Sequence, residues 1–127
     1  MPASIDWTLK LGTSTGGSQV LSGVSLVEAI DSLEIPVSAG ATDLSVDLQP
    51  GGAGQVQFLL INATSYGDGL TFKVNGSGNP SHALNDALVL TGAGAVKLLG
   101  FPPNQLLFSN SLASAVTVSI LVGRLAT

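Results

Sequence analysis

The chain has 127 residues, a net charge of −4, 45% hydrophobic residues and only 9% charged ones. Ordinary soluble domains carry about 25% charged residues, and a chain this apolar is not a disordered one, which needs high charge and low hydrophobicity. Four cations exclude an extended phosphate-binding surface and so a nucleic-acid partner, the lack of cysteine excludes disulfides and thiolate metal sites, and a lone histidine excludes a multi-histidine metal centre.

The length predicts one domain over residues 1–127. The start, Met1–Asp6, has no basic segment followed by an apolar one, so no secretory signal is expected. Residues 5–11 then alternate, with Ile5, Trp7, Leu9 and Leu11 on one face and Asp6, Thr8 and Lys10 on the other. Strands follow at 19–27 and 33–38, and Pro36 places the latter at a sheet edge. A helix competes over 25–34, because Ser25–Glu28 matches a capping box and Ala29, Ile30 and Leu33 continue at helical spacing. Further strands are expected at 43–49, 55–63, 70–75, 84–91, 95–101, 105–109 and 115–122. Within 55–63 the alternation of Val56 and Phe58 breaks at Leu59-Leu60-Ile61, which implies that both faces are covered, by another sheet or by another subunit.

Gly-, Pro- and Asn-rich turns recur between these runs, at 15–18, 39–41, 50–54, 66–69, 75–80, 92–94 and 102–104. Evenly punctuated short strands predict an all-β fold, an antiparallel jelly-roll-like β-sandwich of about 8–10 strands. The uncharged stretches 48–67 and 98–123 are too interrupted by Pro, Gly, Asn and Gln for membrane helices, so no membrane partner is expected.

Chemistry is thin. His82 and Asp86 are four apart with no nucleophile elbow, so His82 reads as a loop histidine following Pro80. Asp43 and Asp47 share a strand face about 13 Å apart, too far for a glycosidase pair. Asp68, between two glycines, reads as a turn residue rather than a calcium ligand. The glycine clusters match neither a dinucleotide fingerprint nor a phosphate loop, since Lys97 is followed by leucine. The sequon-like Asn62-Ala63-Thr64 and Asn75-Gly76-Ser77 read as chance. No enzyme and no cofactor is expected. Trp7, Phe58, Phe72 and Phe108 fall on core-facing positions, whereas Tyr66 and Phe101 lie in or near turns.

A surface poor in charge can associate without stranding ions, as interface cores do. The expectation is therefore a structural or interaction protein working as a homo-oligomer. The residues expected at its interfaces are Trp7, Pro50, Tyr66, Asp68, Asn79, His82, Phe101 and Pro103. Strand 5–11 is expected to add to a neighbour's sheet edge.

From Asp43 onward the chain carries Leu44-Ser45-Val46-Asp47-Leu48, Leu60-Ile61-Asn62, a Lys73-Val74-Asn75-Gly76 hairpin, Ala87–Gly92, Leu107-Phe108-Ser109-Asn110 and a closing Ile120–Arg124. This run, about two thirds of the chain, resembles the small virion proteins of tailed bacteriophages. The resemblance implies a β-sandwich or jelly-roll module that is made in the host cytoplasm and sits on the capsid surface. There it would act as a cement or decoration protein, often a trimer at a symmetry axis, contacting the major capsid protein or other virion proteins. It transfers no catalytic residue. A second expectation shares the fold: a tail- or fibre-associated module binding a carbohydrate or receptor through Tyr66, Asp68, Asn79 and His82. A jelly-roll hydrolase is the weakest, for want of a second histidine or a metal-ligand cluster.

Overall fold

The computed structural model describes residues 3–48, 55–100 and 103–125. The chain opens with two ten-residue strands, β1 (Ala3–Gly12) and β2 (Ser18–Val27), followed by β3 (Ala29–Val37), β4 (Leu44–Asp47), β5 (Gln55–Ala63) and β6 (Gly67–Val74). Then come β7 (Ser81–Leu84), β8 (Leu88–Thr91), a one-turn helix α1 (Ala93–Val96) running into a 3-10 turn at Lys97–Leu99, β9 (Gln105–Asn110) and β10 (Val116–Leu125).

β3 to β10 build two four-stranded sheets, in the orders β3-β10-β5-β8 and β4-β9-β6-β7, with every pairing antiparallel. The chain crosses between the sheets at every step except β6 to β7, which is the connectivity of a jelly roll. β1 and β2 form a separate two-stranded ribbon.

The expected alternation is what fills the sandwich. Val116, Val118, Ile120 and Val122 of β10 point inward and are buried against Leu70, Phe72, Val74, Leu106 and Phe108 of the opposite sheet. Phe72 and Phe108 meet with ring centroids 6.2 Å apart. Pro36 does lie on an edge strand, where its missing N–H costs no ladder bond.

The broken alternation of β5 has a local cause. Ile61 and Leu59 pair with Ile120 and Val122 and face the core, and Phe58 follows in register opposite Gly123; the register then shifts by one residue at Gln57, so that Val56 opposes Arg124. The extra residue is a β-bulge. It turns Val56 back into the core, while Phe58, on the outer face by simple alternation from Leu59, is covered by Ile5 and Val27 of the ribbon's root. The second cover expected for this strand is therefore an element of the same chain.

Two expectations fail, and the competing helix does not form. Residues 25–34 are not helical: after β2 they run through Glu28, whose N–H donates to the Arg124 carbonyl, straight into β3. Nine residues of ladder with β10 outweigh a local capping signal. The strand expected over 84–91 is two strands, broken where Asp86 Oδ1 accepts the Ala87 N–H and the chain changes sheet. The strand expected at 95–101 is the one-turn helix and its 3-10 extension. There Val96 is buried and Leu99 packs beside it, one turn apart, and Gly100 ends the turn at φ 91°.

Candidate functional site

The most distinctive surface is the ribbon. Each of its strands is about 33 Å long, and Thr13 N–H donating to the Gly17 carbonyl at 2.8 Å closes the connecting turn. Only Ile5 and Val27, at its root, are buried; every residue from Thr8 to Ser22 is exposed. The ribbon therefore stands clear of the sandwich as an arm.

Paired residues share a face. One face carries Trp7 opposite Gly23, Leu9 opposite Leu21, and Leu11 opposite Gln19. The other carries Asp6 opposite Val24, Thr8 opposite Ser22, and Lys10 opposite Val20, with Leu26 near the root. Leu9, Leu11 and Leu21 are 43–48% exposed, and Val20, Val24 and Leu26 60–72%. Both faces thus offer aliphatic surface to water, and Asp6 and Lys10 are the only charged side chains between residues 3 and 27. An isolated two-stranded ribbon is marginal in water, and clustered exposed apolar residues mark interaction sites.

This corrects the expected core. Of Ile5, Trp7, Leu9 and Leu11, only Ile5 is buried; Trp7 is half-buried, on the arm. The sequence signal for a hairpin was present in two alternating runs of like length flanking Thr13–Gly17.

The other residues expected at interfaces are scattered. Tyr66 accepts the Ala63 N–H at its hydroxyl and so braces the β5–β6 turn. Asn79 donates to the Val74 carbonyl in the β6–β7 turn. These turns lie at opposite ends of β6, which separates Tyr66 from Asn79, whereas Asp68 reaches Asn85 at the rim of the groove that His82 lines. Asp68 accepts a hydrogen bond from Asn85 at 3.0 Å. Pro103 is buried and cannot present its ring to a partner. Pro50 and Phe101 lie outside the described residues.

His82 is on strand β7, not in a loop, and its ring lies 5.2 Å from that of Phe72. With Asn85, Asp86, Leu88 and Leu99 it lines an open groove of about 220 Å³. Two of the four cations are engaged within the chain: Lys73 with Asp43 at 3.2 Å and Arg124 with Asp31 at 2.8 Å. Among the described residues, no three potential metal ligands cluster and no helix is long and apolar enough to cross a membrane.

Comparison with protein-family models, with curated proteins and with solved structures finds no match.

Proposed function

We propose that this chain is a structural protein of a virus particle, a cement or decoration module that binds a tailed-phage head through protein–protein contacts. The observation that carries this reading is the arm: a rigidly rooted, charge-poor ribbon with aliphatic surface on both faces and free edges. Such an element supplies area and main-chain hydrogen bonds to a neighbour, which is what joining shell subunits requires. The jelly-roll body supplies a stiff mount. The sequence resemblance to small phage virion proteins points the same way.

The test is reconstitution on heads of the encoding virus assembled without this protein. The full chain is expected to bind at a fixed copy number and raise the temperature at which heads rupture. A variant lacking residues 3–27, folded by circular dichroism, is expected to do neither. Heads that bind both forms equally, or neither, overturn the reading.

A second reading, the tail- or fibre-associated carbohydrate-binding module, draws support from the groove beside His82, where Asn85 and Asp86 present polar groups at an apolar floor. Glycan-array binding that His82→Ala abolishes and the arm deletion leaves intact would favour it.

A further inference from the structure

We infer that the β1 edge of the arm pairs antiparallel with the β1 edge of a second copy of this chain, around a twofold axis at Thr8. The inference rests on the reading of the arm as an assembly element and names its partner.

The first observation is the direction of the backbone groups. Thr13 N–H donates to the Gly17 carbonyl, which makes 13 and 17 a hydrogen-bonded pair. Hydrogen-bonded and non-bonded pairs alternate along an antiparallel ladder. In β1, therefore, the odd-numbered residues bond to β2, and Ser4, Asp6, Thr8, Lys10 and Gly12 turn their N–H and C=O groups outward. That edge has no ladder partner among the described residues.

The second observation is charge. Asp6 and Lys10 lie on one face of β1, four residues apart and so about 13 Å from each other, too far to pair within one arm. A twofold axis at Thr8 sets Thr8 against Thr8 of the second copy. It then sets Asp6 against Lys10 of the second copy, and Lys10 against its Asp6. All the outward-turned residues oppose outward-turned residues, as a hydrogen-bonded ladder needs. On the other face the same register sets Trp7 against Leu9 and Ile5 against Leu11 of the second copy. A shift of the axis to Trp7 or to Leu9 keeps the ladder but puts both charges opposite uncharged residues.

The two arms then form one four-stranded sheet, with each tip beside the other copy's root. An isologous contact of this kind closes on itself. It also occupies an edge that would otherwise accept any passing strand.

The chain has no cysteine, which makes the register directly readable. Thr8→Cys is expected to give a disulfide-linked dimer on mild oxidation, because directly opposed residues of a bonded pair fall within disulfide reach. Asp6→Cys is expected to stay unlinked. Ser22→Cys, on the far strand of the ribbon, is also expected to stay unlinked; its cross-linking in place of Thr8→Cys would mean that the β2 edges pair and would overturn the inference. In light scattering the wild-type chain is expected to dimerise, and Asp6→Lys and Lys10→Asp alone to weaken the dimer about tenfold or more. Mixed together these two variants are expected to form a heterodimer, since each then meets the opposite charge. A wild-type chain monomeric at high concentration, or single variants that dimerise as well as wild type, overturns the twofold pairing. Head binding by the wild-type chain would survive that outcome, so the two failures are distinguishable.

Discussion

Trp7 occupies the space that a side chain at position 23 would need. A Cβ added to Gly23 would fall 2.6 Å from Trp7 Cζ2 and 2.9 Å from Cε2. The indole thus packs across the neighbouring strand against bare backbone, the aromatic cover of a strand glycine that helps to pin register. Since Trp7 is the single tryptophan, its emission reports this contact alone. Gly23→Ala is expected to push the indole into water and shift its emission to the red, while the thermal transition of the sandwich stays put. An unchanged spectrum would mean that the indole does not rest on Gly23.

The arm's root depends on Gly123. A Cβ there would sit 2.7 Å from Ile5 Cδ1 and 3.0 Å from Val27 Cγ1. Gly123→Val is expected to lift the root from Phe58 and cost about 1–3 kcal/mol, the usual range for overpacking. Limited proteolysis should then cut within residues 1–27 faster than in the wild-type chain, and hydrogen exchange at residues 5–7 should accelerate.

Asn110 is the one buried polar side chain among the described residues. Its Nδ2 donates to the carbonyls of Val37 and Ser114, and its Oδ1 accepts the Leu112 N–H. It therefore ties β3 to the β9–β10 turn. Asn110→Ala is expected to cost about 2–3 kcal/mol in urea denaturation, since buried backbone groups lose their partners. Asn110→Asp is expected to cost at least as much at neutral pH, because a carboxylate cannot donate to either carbonyl.

Two glycines near the helical turn should respond with opposite signs. Gly94 lies within α1, with open space where a Cβ would go, and its φ is not positive. Gly94→Ala is expected to stabilise by about 0.5–1 kcal/mol. Gly100 also has open space, but its φ of 91° suits only glycine well. Gly100→Ala is expected to destabilise by about 1 kcal/mol. A thermal-shift comparison of the two variants decides the point.

Neither ion pair is expected to matter much. Asp31 and Arg124 keep 39% and 22% of their side-chain surface in solvent. Asp31→Asn should therefore change stability by no more than about 1 kcal/mol, and less at high salt.

The sandwich was legible because period-two alternation in runs such as 70–75 and 116–122 reports directly which face is buried. The helical turn at 93–99 was not, since Ala-Val and Leu-Leu pairs suit a strand or a turn equally until the core decides. The division of 84–91 hid for a similar reason: Asn85-Asp86-Ala87 lacks the glycine or proline that marked the other turns. At the arm the pattern misled. Ile5, Trp7, Leu9 and Leu11 alternate as a core strand does, but alternation shows that one face is apolar and says nothing of what covers it. Tyr66 and Asn79 flank β6 at its two ends, which no spacing rule for neighbouring motifs contains, while Asp68 and His82 come together through Asn85 across the β6–β7 pairing.

β10 lies between β3 and β5, so the first-made and middle parts of its sheet are joined only by a strand that follows both in the chain. On the ribosome, β3 and β5 emerge with nothing to hold them together. Val118, Ile120 and Val122 must leave the exit tunnel before β3 has a ladder, before β5 has one on its second edge beside that with β8, or before the opposite sheet has its apolar floor. The ribbon's two strands are joined by a five-residue turn, but an isolated ribbon is marginal in water, and its root too waits for Gly123 of β10. Synthesis thus leaves body and arm unfinished together until β10 arrives, an interval in which the unpaired strand edges of neighbouring nascent chains are open to one another before either has folded.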